Sequence, residues 1–183
     1  MSLMNTPAGY GLVSRLFHWI MALAIVIVFA LGIWMVRLDY QSPYYTSAPD
    51  LHRSLGLLLL IVLIARFCWR MINPRPADPE LTVFEKRSSY AVHLAFYPMI
   101  LILTVSGYFI SSANGEAVDV FHWFTVPAVT RQPGLEDQAG LVHRWIAYGT
   151  MALAFIHTIA ALKHHLVDKS GVLTRMWSGP RSP

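Results

Sequence analysis

The chain has little cysteine and little charge, and each shortage excludes something. Cys68 is the single cysteine, so no disulfide framework and no thiolate-held zinc or iron–sulfur centre can form. No C-x-x-C-H occurs, which rules out haem attached through thioether bonds. Charged residues make up 13% of the 183 residues, where an average soluble domain carries about a quarter. A surface so poor in charge does not suit water. The pI of about 9.4 might suggest nucleic acid as a partner, but in a membrane chain it reflects basic loops, and we expect no nucleic acid.

What the chain has instead is apolar length. Hydrophobic residues reach 55%, mean hydropathy is +0.47, and the apolar residues gather into four blocks. These run from about Leu16 to Val36, Leu51 to Trp69, Ser89 to Ile110 and Gly140 to Leu162. Each is long enough to cross a hydrocarbon core about 30 Å thick at roughly 1.5 Å per residue. The first is longer than the h-region of a signal peptide and ends in charge at Arg37, so it reads as a retained helix. Ser47-Ala48-Pro49-Asp50 is a start signal for the second helix, and Asn73-Pro74-Arg75-Pro76 is a breaker after it. Pro98 lies inside the third, where neighbouring helices can satisfy the freed carbonyl.

The expected fold class is therefore an all-α integral membrane protein, a four-transmembrane-helix bundle with helices at about 14–36, 51–70, 89–111 and 140–163. Residues 1–183 form one membrane-embedded domain. The longest link, 111–139, contains Val118-Asp119-Val120-Phe121-His122-Trp123-Phe124, which suits the membrane interface. Basic residues fall on one side: Arg15, Arg66, Arg70, Arg75, Lys86, Arg87, Lys163, Lys169, Arg175 and Arg181. The other side holds Arg37, Arg53, Arg131 and Arg144. By the positive-inside rule both termini are expected in the cytoplasm.

Ionisable residues at membrane depth are costly and point to function. His18 enters the first helix from the cytoplasmic side, and His52 lies at the periplasmic end of the second. His143 and His157 are fourteen residues apart in the fourth. That spacing is almost four turns, which returns both imidazoles to nearly one face at depths about 21 Å apart. Pairing by depth joins His52 with His143 and His18 with His157. Two imidazoles from different helices can clamp a porphyrin iron from its two faces, leaving no open position, which suits electron transfer. This points to two non-covalent haems b. Gly56 lies one turn beyond His52, and Gly32, Gly107 and Gly149 sit in the other helices, where small residues let a ring approach. Arg15, Arg53, Arg66 and Arg144 stand near helix ends as partners for haem propionates.

Alternatives stay open on the residues alone. His164, seven residues after His157, is a second choice of ligand. His93 enters the third helix where it can meet a quinone, a propionate or only its neighbours; His165 is interfacial and His122 wet. Intramembrane histidines also serve non-haem ion or metal transporters.

Ser-Arg-Leu-Phe-His18-Trp19, Leu51-His52-Arg53-Ser54-Leu55-Gly56, His143-Arg144-Trp145 and Ala160-Ala161-Leu162-Lys163-His164-His165 resemble the bacterial cytochrome b561 family. That family is related to the cytochrome b subunits of nickel–iron hydrogenases and formate dehydrogenases. The resemblance runs from about Gly11 to Met176 and includes the fourteen-residue histidine spacing. It implies a multi-pass protein of the bacterial inner (cytoplasmic) membrane, with ligands at His18, His52, His143 and His157. It also implies exchange of electrons with the ubiquinone pool. Stand-alone members are superoxide–ubiquinone oxidoreductases, whereas the hydrogenase and dehydrogenase relatives anchor a large periplasmic redox partner. The chain lacks a fifth spanning block and so resembles the stand-alone type, with superoxide or a periplasmic protein as donor.

Overall fold

A computed structural model describes residues 2–77 and 80–179; Arg181 of the basic tail lies outside them. Four helices are long and apolar enough to cross a membrane: α1 (Leu12–Met35), α2 (Ser47–Ile72), α3 (Val83–Ser112) and α4 (Leu135–Leu166). In lipid nothing outside the segment can bond a backbone N–H or C=O, and the helix satisfies them all internally.

α3 and α4 begin earlier than apolar content suggests, because their first turns are polar and held by end effects. Thr82 and Glu85 form a capping box, with the Glu85 N–H donating to Thr82 Oγ1 (3.3 Å) and the Thr82 N–H to Glu85 Oε2 (2.9 Å). α4 starts behind Gly134 at φ +83°, and Glu136 and Asp137 in its first turn favour the positive end of the helix dipole. Pro98 is taken up within α3, which runs through it unbroken.

Successive helices pack side by side: α1 on α2, α2 on α3 and α3 on α4. Among the described residues α4 makes no comparable backbone approach to α1 or α2. The buried centre is correspondingly small, built on Met21, Leu59, Leu63 and Ile100 with Phe96 and Tyr97 against them. Large apolar residues such as Leu23, Ile61 and Phe155 point outward. A surface of this kind belongs against lipid.

Two features lie beyond the four-helix reading. The link after α3 holds a hairpin, β1 (Val118–Val120) and β2 (Phe124–Val126), paired antiparallel with Val118 opposite Val126. Val118 and Val120 are buried where β1 meets α2 and α3, and the Phe121 N–H donates to Ser54 Oγ at 3.1 Å. Phe121 and His122 make the turn at φ +52° and +60°, uncommon for residues with a side chain. At the aromatic tip Trp123 is 76% exposed and the His122 side chain 92%. The second feature is α5 (Val172–Ser178), too short to span. It folds back so that Arg15 donates to the Met176 and Trp177 carbonyls, Trp19 Nε1 donates to Met176 O (3.1 Å), and the two indoles meet edge-on at 5.2 Å.

The bundle end that carries both chain termini, here the terminal end, is closed by a charge cluster; the other is the hairpin end. Lys163 Nζ reaches Glu85 (3.1 Å) and Asp168 (2.8 Å), and His164 Nδ1 lies 2.7 Å from Asp168 Oδ2. Hydrogen bonds from Lys163 and then His164 hold the Asp168 carboxyl below its ordinary value of 3.8. A depressed carboxyl stabilises the fold fully above its unfolded value and loses that contribution as pH falls through the folded one. Asp168→Asn is therefore expected to melt at a lower temperature than wild type at pH 7 in detergent, with the gap closing below about pH 4. A gap that persists unchanged into acid would exclude this origin.

Candidate haem-binding sites

The hairpin-end site begins with His52, in the second turn of α2, and His143, in the third turn of α4. Their ring centroids are 6.1 Å apart with planes at 70°. Two glycines make the space for these imidazoles. A Cβ on Gly32 of α1 would stand 2.9 Å from His52 Cε1, and one on Gly107 of α3 would stand 3.2 Å from His143 Cε1. His143 Nδ1 lies 3.0 Å from the Leu103 carbonyl, with Ser106 Oγ at 3.2 Å. A carbonyl can only accept, so Nδ1 carries the proton and Nε2 keeps its lone pair, the tautomer a metal ligand needs. The His52 ring lies beside the Val28 backbone, and its buried Nδ1 makes no hydrogen bond of ordinary geometry among the described residues. Beside it, a Cβ on Gly56 would meet nothing within 4 Å.

The terminal-end site pairs His18 of α1 with His157 of α4, centroids 6.3 Å apart and planes at 65°. A third histidine joins them. The His93 ring is 5.0 Å from that of His157, its Nδ1 held 2.7 Å from the Ser89 carbonyl, and Phe96 approaches His157 at 6.1 Å. Arg66 completes the site. Its Nη1 lies 3.6 Å from Met21 Sδ, it sits beside the Tyr97 hydroxyl, and it has no carboxylate partner among the described residues. Met21, which it touches, lies one turn from His18 on α1.

The spacing tests whether haem suits these pairs. Two metal–imidazole bonds of about 2 Å, with roughly 1.1 Å from each nitrogen to its ring centre, would separate two opposed imidazole centroids by about 6.2 Å. The observed 6.1 and 6.3 Å agree with that figure. The 5.0 Å between His93 and His157 is too short, which disfavours His93 as the trans partner. The residues fit the group.

Other residues singled out in the sequence lie as follows. His164 points into the charge cluster with Asp168 and Glu85 and is not brought to His18. Arg15 is engaged with α5, Arg53 is paired with Asp50 at the surface, and Arg144 is exposed. Of the four arginines, Arg66 alone is turned into the bundle, against Met21 one turn from His18. The glycines act differently from expectation: Gly32 and Gly107 back the imidazoles, Gly149 meets Met99 at 3.3 Å in the α3–α4 contact, and only Gly56 faces open space. Ser106, Leu103 and Phe96 were not anticipated. Ser106, a polar residue beside a glycine inside a spanning block, was the one visible signal.

The profile of the family described as prokaryotic cytochrome b561 matches residues 9–179. The chain belongs to that family. Cytochrome b561 homolog 2 of Escherichia coli (strain K12) is 43% identical over 178 residues, covering 96% of this chain and 95% of that protein. Cytochrome b561 homolog 1 of the same organism is 24% identical, covering 87% and 91%. A Yersinia pestis protein named probable superoxide oxidase CybB is 24% identical over 162 residues, covering 87% and 90%. The chain is thus a multi-pass membrane cytochrome b with a role in electron transfer, and its family implies haem b.

Filling the space behind an imidazole should expel haem from that site. Gly32→Val and Gly107→Val, overpacked at a cost of about 1–3 kcal/mol, are each expected to lower haem per chain in the purified cytochrome. Full haem content in both variants would show that the two glycines do not set the imidazole positions.

Proposed function

We propose that this cytochrome b561 is a di-haem electron carrier working between the two ends of its bundle. His52 and His143 would hold one haem b, and His18 and His157 the other. The observation that carries the reading is the pair of histidine couples, both at the spacing of trans imidazole ligands and both served by α4. The slot between α4 and the α1–α2 pair, with open space at Gly56, supports a planar group lying between the imidazoles.

Bound there, haem would supply one-electron chemistry. The chain's own residues do the rest. Leu103 and Ser106 fix the His143 tautomer, Gly32 and Gly107 seat the rings, and the apolar walls from Met21, Phe96 and Tyr97 keep water from the terminal-end site. Arg66 would pair with a propionate there. Arg15, Arg53 and Arg144 do not support that role, since each is engaged or exposed elsewhere.

The reading extends to partners. With both termini cytoplasmic by the distribution of Lys and Arg, the hairpin end faces the periplasm of an inner-membrane protein, and the donor meets the chain there. Superoxide is the favoured donor because a relative bears the name probable superoxide oxidase. The ubiquinone pool in the bilayer is the acceptor.

Haem stoichiometry of the purified protein tests the assignment. Wild type is expected to carry two haems per chain, and His→Ala at 18, 52, 143 or 157 to remove at least one. His164→Ala should keep both, and Gly56→Leu should lose haem although the protein alone leaves room for the side chain. Loss of haem in His164→Ala with retention in His157→Ala would reverse the ligand assignment. Reoxidation of the reduced protein by a short-chain ubiquinone tests the acceptor; no reaction would remove quinone from the function.

A further inference from the structure

The two histidine pairs sit in different electrostatic surroundings. At the terminal end a guanidinium with no carboxylate partner among the described residues stands against Tyr97 and against Met21, which lies one turn from His18 on α1. Arg70 and Arg75 add positive charge nearer the surface, stacked over the rings of Tyr90 and Tyr97 at 5.4–5.8 Å. At the hairpin end the basic residue next to His52, Arg53, is paired with Asp50, and Arg144, next to His143, points outward.

Hydrogen bonding differs in the same sense. His143 Nδ1 donates to the Leu103 carbonyl, and such a bond makes the ligand more basic and favours the ferric iron. Among the described residues neither His18 nor His157 makes a comparable bond. A fixed positive charge near the iron favours the ferrous form, because reduction lowers the charge of the site. Both effects separate the sites in one direction. Pairing of Arg66 with a propionate would not change the sign, since its removal would leave that anion uncompensated.

We propose that Arg66 is a potential-setting residue that holds the terminal-end haem at a higher reduction potential than the hairpin-end haem. The inference rests on the di-haem reading. One electron leaves the hairpin-end iron, which is oxidised, and arrives at the terminal-end iron, which is reduced; no proton or further reactant takes part. The fold thereby has a preferred direction, toward the end that carries the termini. A unit charge within about 10 Å at an effective dielectric of about 20 shifts a one-electron equilibrium by about tenfold or more, about 59 mV per tenfold.

An optical redox titration of the detergent-purified holoprotein tests this without any turnover. Wild type is expected to give two waves, and His143→Ala, which removes the hairpin-end haem, to retain the upper one. Arg66→Gln should lower the upper wave by at least about tenfold in equilibrium constant and leave the lower wave in place, while Arg66→Lys stays near wild type. Retention of the lower wave in His143→Ala would overturn the proposal even if no Arg66 variant holds haem. An unmoved upper wave in a folded, two-haem Arg66→Gln protein would overturn the role of Arg66 and leave the di-haem reading standing. A single haem in wild type would overturn that reading and this comparison with it.

Discussion

α4 is packed closely along one flank, against α3, and stands back from α1 and α2. The remaining features of the interior follow from the width of that slot. Helix backbones in lipid gain nothing from leaving an apolar gap, because a void forfeits dispersion contacts on both walls. Imidazoles reach across from opposite sides at each end, and at the hairpin end glycines on α1 and α3 recede to let them do so. His52 Nδ1, buried without a hydrogen bond of ordinary geometry among the described residues, is a cost the hairpin-end site carries.

The two ends of the slot resemble each other in spacing and differ in chemistry. One is neutral and tied to a carbonyl. The other has three histidines and a guanidinium that meets Tyr97 but no carboxylate among the described residues, in a medium where charge is expensive. A bundle that needed only two equivalent haem holders would not require that difference, and a conductor with a preferred direction would.

Much of this was legible in the sequence because membrane helices are written in long apolar blocks and because fourteen residues is close to four turns. What escaped was set by contacts between segments distant in the chain. Polar turns such as Thr82–Glu85 extend helices beyond any apolar window. Val118 and Val120 alternate for too few residues to announce a strand, and the strand exists because α2 and α3 cover it. Gly32 and Gly107 read as sites for a ring, yet each backs an imidazole supplied by another helix. Arg66 reads in the sequence as one of four comparable arginines; the fold turns it against Met21, one turn from His18, while Arg15 is taken by α5. Burial of a charge is a tertiary property, and the local sequence around Arg66 does not encode it.

Both pairs draw one histidine from α4, the last spanning helix in the chain, and chains emerge from the ribosome amino terminus first. His18 and His52 are therefore made and inserted long before either partner exists. Neither couple can close around a ring until the whole bundle is in the membrane, and the latch between α5 and α1 closes later still. On the proposed ligand assignment, cofactor capture would be a final event in biogenesis, and a chain stalled before α4 would be a three-helix protein with two unpaired imidazoles.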